Sequence, residues 1–235
     1  MNTIPIIIND KKLDVDPGKT ILEVCRENDI EILTMCHLKG IMDIGSCRLC
    51  LVEIEGMNKL LSACTTKVAA NMIVRTSTER IRRYQRITTE LFFAERNHVC
   101  AVCVANGKCE LQDLGYKVGL DHIRYPHLFP QCEVDTSHAW YVMDHNRCIM
   151  CTRCVRVCNE VEGAHNWDVM NRGHNVRIIS DFNTPWGESI TCTSCGKCLH
   201  ACPTGAIWPK AIVQGQLEKK PGIINELMEK RAMKL

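Results

Sequence analysis

The sequence predicts an α+β fold, on three observations. Residues 1–77 carry short apolar strands around one capped helix. Residues 78–117 carry a helical stretch ending in a tight cysteine block. Residues 118–210 hold two matching quartets, Cys148-x2-Cys151-x2-Cys154-x3-Cys158 and Cys192-x2-Cys195-x2-Cys198-x3-Cys202, the second closing on Pro203. A charged tail, 211–235, follows.

Length and composition bound the reading. The 235 residues suffice for two or three small domains. The 17 cysteines, about 7%, stay just under the density of a disulfide scaffold. The N-terminus has no basic region, and its apolar run is too short for a signal sequence. No stretch approaches the length of a membrane span. A cytoplasmic protein is expected, in which clustered thiols mean metal rather than disulfides. The net charge of +2 argues against a nucleic-acid partner. Aromatics are only 5%, so bound inorganic groups are expected to replace part of the core and to contribute folding free energy.

In the first segment, Ile4, Ile6 and Ile8 read as one strand, Asn9-Asp10-Lys11-Lys12 as a turn, and Leu13-Asp14-Val15 as a second strand. Thr20 and Glu23 form a capping box for a helix with Ile21, Leu22 and Cys25 on one face. Cys25 there is expected to be core. Residues 51–55, 60–61 and 72–74 supply further strands. Between them lie Cys36, Cys47, Cys50 and Cys64, spaced C-x10-C-x2-C-x13-C. Strands, one helix and a cysteine loop resemble the plant-type ferredoxin β-grasp domain with its 2Fe–2S cluster. The long first gap departs from soluble plant ferredoxins. It is similar instead to the 2Fe–2S domain of the complex I large iron–sulfur subunit and its hydrogenase relatives. His37, adjacent to Cys36, is expected to support the site or lie at the surface.

In the second segment, Thr78 can cap a helix whose apolar stripe is Ile81, Tyr84, Ile87, Leu91 and Phe92. The basic run 80–86 is expected to be a solvated face. Next come His98, Cys100, Cys103 and Cys109, the last followed by Glu110-Leu111-Gln112. The C-x2-C-x5-C block resembles the one that holds a histidine-ligated 4Fe–4S cluster in complex I and iron-only hydrogenases. The longer form of that motif would use residue 96, which is Arg96. The resemblance therefore implies His98 as fourth ligand. The alternative is an exposed loop histidine, with another ligand on the fourth iron.

In the third segment, residues 122–130 read as an irregular link and Cys132 as a free thiol. Residues 139–144 read as a strand. The two quartets have the spacing of bacterial ferredoxins with two 4Fe–4S clusters. In that run three thiolates of one loop wrap one cubane and the fourth reaches the other. This predicts two crossed ligand sets. One is Cys148, Cys151, Cys154 and Cys202. The other is Cys158, Cys192, Cys195 and Cys198. The 33 residues between Cys158 and Cys192 exceed a compact ferredoxin loop. A strand at 175–179 and a turn at 185–187 suggest a hairpin that shields a cluster or docks a partner. Ile223, Ile224, Leu227 and Met228 mark an amphipathic tail helix, packed on this chain or a neighbour.

One 2Fe–2S and three 4Fe–4S sites use 15 of the 17 cysteines, if His98 completes the second. Several clusters in one short chain suit a line of one-electron stations. There is no dinucleotide fingerprint, no phosphate-binding loop and no H-E-x-x-H site, so catalysis is expected on partner subunits. The stretches Asn97-His98-Val99-Cys100, Asp144-His145-Asn146-Arg147-Cys148 and Cys192-Thr193-Ser194-Cys195-Gly196-Lys197-Cys198 resemble the HoxU-type diaphorase subunit of NAD(P)-linked bidirectional nickel–iron hydrogenases. That resemblance implies a flavin- and NAD-binding diaphorase subunit, a hydrogenase small subunit and a further small 2Fe–2S subunit as partners. Rival readings are the equivalent subunit of an NAD-linked formate dehydrogenase, an iron-only bifurcating hydrogenase or a complex I-like enzyme. More distant rivals are a zinc scaffold and a cluster-bearing redox sensor.

Overall fold

A computed structural model of the chain describes residues 3–232. Residues 1–2 and 233–235, at the ends of the first and last predicted segments, lie outside the described residues. Strand β1 (Ile4–Ile8) turns directly into β2 (Lys11–Val15). The turn is Asn9-Asp10 alone, with φ of 48° and 67°. This left-handed pair is the tight hairpin turn that asparagine and aspartate tolerate. Lys11 and Lys12 therefore belong to the strand, not to the expected longer turn.

Helix α1 (Ile21–Glu27) starts on the expected capping box. Thr20 Oγ1 accepts from Glu23 N at 3.2 Å, and the Glu23 carboxylate accepts from Thr20 N at 2.7 Å. Strands β3 (Leu51–Ile54), β4 (Leu61–Ser62) and β5 (Ile73–Arg75) complete a sheet ordered β2-β1-β5-β3-β4, with β1 and β5 parallel. Ile6, Ile8, Ile21, Leu22, Val52 and Val74 form its core. This mixed sheet under one helix is the β-grasp arrangement. Cys25 lies in that core, and burial pushes its thiol up to about 12.

Helix α2 (Glu79–Glu95) is capped by Thr78, whose Oγ1 accepts from Ile81 N at 3.2 Å. Such a cap stabilises by about 1 kcal/mol. The buried face differs from the predicted stripe. Tyr84 and Leu91 are 45% and 46% exposed, and the residues turned inward are Ile81, Gln85, Thr89, Glu90 and Ala94. The polar members are satisfied there. Gln85 Nε2 donates to Leu49 O at 3.0 Å, Thr89 Oγ1 to Gln85 O at 2.8 Å, and Glu90 lies between Arg86 and Arg124. Arg80, Arg82 and Arg83 are exposed, as a solvated face requires. Helix α3 (Glu110–Lys117) follows, and residues 122–130 form no helix or strand.

In the third segment β6 (Val134–Asp135) pairs with β7 (Tyr141–Asp144). Helix α4 (Arg153–Arg156) widens into a π-helical turn, Val157–Glu162. The insertion is a hairpin of β8 (Trp167–Met170) and β9 (Arg177–Ser180), followed by a single turn at Trp186–Glu188. Helix α5 (Lys197–Ala201) leads to β10 (Ile207–Pro209), which pairs antiparallel with β7 and so closes the two quartets onto each other. The tail helix, α6 (Gly222–Ala232), packs on this same chain: Ile224 is fully buried beside Leu38 and Ile41. Among the described residues no helix is long and apolar enough to cross a membrane.

Candidate iron–sulfur sites

The first site lies beside the β-grasp core. Cys36, Cys47, Cys50 and Cys64 are all buried. They come together as two pairs. Cys50 Sγ and Cys64 Sγ share a hydrogen bond at 3.4 Å, and Cys36 lies within reach of Cys47. Within each pair the shared hydrogen bond pulls one thiol down, Cys36 or Cys50, and pushes the other up. Two thiolates on one tetrahedral metal, with metal–sulfur bonds of about 2.3 Å, stand about 3.8 Å apart. Two close pairs therefore fit two irons with two thiolates each. A zinc site would gather all four at one point. Among the described residues no group of three or more histidine, cysteine or acidic side chains does so. Met35 N donates to Cys47 Sγ at 3.5 Å, and Ser46 reaches Cys36 through backbone and side chain. His37 does not face this site. Its Nδ1 meets Asp43 at 2.7 Å and its Nε2 meets Arg26.

The second site is a small hollow lined by His98, Cys100, Cys103, Cys109 and Arg147. His98 is placed as a ligand would be. Its Nε2 is buried without a partner among the described residues, although the ring has a backbone hydrogen bond at Phe92. Burial, with Arg147 and Arg96 nearby, lowers the imidazole to about 4, so it is neutral and its lone pair is free. Phe93 packs edge-on to the ring at 5.5 Å. Gly205 lies against the hollow: a Cβ there would stand 2.5 Å from Cys103 Sγ, so a larger residue would displace that sulfur.

The two quartets share a backbone device. Met150 and Thr152 in the first, and Ser194 and Gly196 in the second, all have φ between 53° and 71°. They occupy the same two positions, second and fourth after the leading cysteine. Left-handed residues alternating with right-handed ones turn successive N–H groups to one side, a concavity suited to an anion. In the first quartet the first three thiolates are raised, Cys148 and Cys151 by burial to about 12 and about 11, and Cys154 well above its usual range. Cys202 acts electrostatically on all three. Burial would raise Cys202 too, but Lys219 and hydrogen bonds at Thr204 outweigh it and the thiol is lowered. The hollow at the second quartet is lined by Cys192, Cys195, Cys198 and also Cys158. The chain thus brings the crossed sets together, and both donor sets fit a cubane cluster.

Buried side chains that the sequence reading passed over tie the sites into one body. Arg156 donates to Cys36 O at 2.5 Å, Cys151 O at 3.2 Å and Met42 O at 2.6 Å, joining the first site to the first quartet. Arg153 holds Glu110 through two bonds, 2.8 and 2.9 Å, joining that quartet to the helix after Cys109. Glu110 N donates to Pro203 O at 3.1 Å. The first quartet is therefore the hub, touching the other three sites. Only the cysteine spacing around these arginines could have hinted at this, because both partners are distant in sequence. Cys132 stands apart from all four sites, with Arg96 Nη1 3.5 Å from its sulfur.

Comparison with known proteins gives the same layout. A 2Fe-2S iron-sulfur cluster binding domain matches residues 1–79. The NADH-ubiquinone oxidoreductase-G iron-sulfur binding region matches residues 85–124. The ferredoxin-like domain of NADH-quinone oxidoreductase subunit 3 matches residues 141–208. The chain is 36% identical over 207 residues to an NADH-quinone oxidoreductase subunit of Rhizobium meliloti, covering 87% of itself and 24% of that protein. It is 34% identical over 212 residues to the NADP-reducing hydrogenase subunit HndD of Solidesulfovibrio fructosivorans, covering 88% of itself and 36% of that protein. It thus spans about a quarter to a third of these two relatives. The gamma subunit of the NAD-reducing hydrogenase HoxS of Cupriavidus necator is 30% identical over 211 residues, with 89% of this chain and 88% of that protein covered. A chain in the crystal structure of the NAD+-reducing [NiFe]-hydrogenase in the H2-reduced state superposes with a TM-score of 0.83, at 30% identity and 88% coverage of both chains.

Proposed function

Because the chain belongs to the family of the NAD-reducing hydrogenase HoxS gamma subunit, we propose that it is the electron-transfer subunit of an NAD(P)-linked nickel–iron hydrogenase in the cytoplasm. The partners in this reading are a flavin- and NAD-binding diaphorase subunit, the hydrogenase small subunit and a further small 2Fe–2S subunit. Four groups are assigned to the chain. Cys36, Cys47, Cys50 and Cys64 hold one 2Fe–2S cluster. His98 with Cys100, Cys103 and Cys109 holds a 4Fe–4S cluster, and the two crossed quartets hold two more. Bound iron–sulfur clusters supply one-electron exchange.

The chain's own residues hold, insulate and neutralise. Sixteen side chains fix the clusters, and Arg153, Arg156 and Lys219 offset negative charge around the hub. No catalytic site is assigned to this chain. The single observation carrying the proposal is the contact of four sulfur-lined sites in one body, with the first quartet at the junction. Isolated structural metal sites would need no such junction.

A second reading is the corresponding part of an NADH-quinone oxidoreductase, favoured by the 36% identity to the Rhizobium meliloti protein. Purification of the native complex under anaerobic conditions, with nickel, flavin, iron and acid-labile sulfide counts, tests both. Nickel and flavin in stoichiometric amounts with this chain are expected. Flavin without nickel, beside quinone-reductase subunits, would replace the first reading by the second. Zinc without acid-labile sulfide would end both.

A further inference from the structure

The insertion between Cys158 and Cys192 has no task in the reading above, although it adds a whole hairpin to a compact two-quartet unit. Its buried side chains converge on one site. Trp186 is 1% exposed, and its indole Nε1 donates to Cys192 Sγ at 3.2 Å. Trp167, also buried, lines the same cavity as Cys158 and Cys198, and so does Asn166. One thiolate thus takes an indole donor, and two further donor-bearing side chains face the same cavity, all from a segment that lies outside the quartet itself.

The donors are fixed in place. Trp186 N donates to Asp135 at 2.7 Å and Gly187 N to Ser137 Oγ at 2.7 Å. A Cβ on Gly187 would stand 2.3 Å from Ser137 O, so this turn is seated directly on the neighbouring strand end. The Trp186 ring lies 4.7 Å from Trp167, 4.5 Å from His138 and 5.7 Å from Tyr141, a collar of aromatic rings around the cavity. Asn166 lines the same cavity. Its Oδ1 accepts from Ser180 Oγ at 2.8 Å and Ser189 Oγ at 2.6 Å, while its buried Nδ2 has no partner among the described residues. The amide is therefore locked with a free donor on the side away from both hydroxyls.

A hydrogen bond to a ligand sulfur withdraws negative charge. It favours the reduced, more negative state of the group that the sulfur holds, and so raises its potential. We propose that the insertion is a potential-setting clamp: the indole N–H groups of Trp186 and Trp167 raise the reduction potential of the group held by Cys158, Cys192, Cys195 and Cys198. The unpaired Asn166 Nδ2 would supply a third side-chain donor at the same cavity. The inference rests on the cluster assignment under the proposed function.

The test is an EPR-monitored redox titration of the purified complex carrying Trp186→Phe, Trp167→Phe or both. Phenylalanine keeps an aromatic ring and removes the N–H. The potential of this one group falls in each single variant and falls further in the double variant, while the other three stay put. A potential unchanged in both single variants overturns the clamp, because a packing role alone would leave it unmoved. Should a variant lose the group, the wild-type complex labelled with indole-¹⁵N tryptophan decides. A nitrogen coupling to the reduced group in electron–nuclear double resonance supports the clamp, and its absence overturns it. A wild-type complex with no paramagnetic group at this site would instead sink the cluster assignment, a different outcome from an unmoved potential.

Discussion

At the scale of single residues, His98 carries the sharpest chemistry outside the cysteines. A neutral imidazole and a thiolate both bind iron, but the thiolate brings one more negative charge. His98 is held neutral by burial and by the Arg147 and Arg96 charges, and its Nε2 has no other partner among the described residues. His98→Cys is therefore expected to keep the iron content and to lower the potential of that one group, since added negative charge disfavours the reduced state. Redox titration of the variant complex checks this. A variant with full iron and an unmoved potential would remove His98 from the ligand set. Gly205 bears on the same site sterically: Gly205 permits the close approach of Cys103, and a side chain there would push the sulfur out of line.

At the scale of elements, helix α2 shows how a polar face can be the buried one. Glu90 has no exposed surface and is held by Arg124 Nη2 at 2.9 Å and Arg86 Nε at 3.3 Å. Burial alone would raise its carboxyl, but the Arg124 bond and the two charges outweigh it and hold it below the usual range. A depressed carboxyl stabilises fully above its unfolded value and loses that contribution only as pH falls through the folded one. Both values lie below about 5. Glu90→Gln should therefore cost about 1–3 kcal/mol, equally at about pH 6 and about pH 8. Chemical-denaturation midpoints of the holoprotein test it, and a cost that vanished toward pH 8 would contradict the pairing. Sequence periodicity could not find this face. Glu90 and Gln85 are buried only because Arg124 and the Leu49 carbonyl arrive from other segments. The β-grasp strands were legible, because alternation and the Thr20–Glu23 box are local signals. Strand β8 was not. Its burial runs from Trp167 inward-facing to Asp168 and Val169 exposed, with no alternation to read. The spatial grouping of the cysteines was the most legible part, since spacing alone puts Cys50 against Cys64 and Cys158 beside Cys192, Cys195 and Cys198. The indole donors were not, because they depend on where a loop lands.

At the scale of the whole molecule, the proposed arrangement is one hub with three neighbours, built by the crossing of the quartets. Cys158 leaves helix α4 and lines the cavity of the other quartet, while Cys202 returns to the first. Each group then depends on both halves of the chain, and β7–β10 pairing brings those halves together. A chain in which each quartet closed on itself would have two separable units and no shared wall between them. The two designs make opposite predictions that need no prior assignment of spectra. With crossing, Cys158→Ser should abolish the same EPR signal as Cys195→Ser, and Cys202→Ser the same signal as Cys151→Ser. Without crossing, Cys158→Ser would pair with Cys151→Ser. Serine is close in size and a much poorer iron ligand, so loss of one group is expected with the other intact. The double variant Cys158→Ser with Cys195→Ser should then lose no more iron than either alone. Additive loss of about eight irons, two 4Fe–4S groups' worth, would show that the two cysteines serve different groups, and the hub would no longer be joined to its neighbour by exchanged ligands.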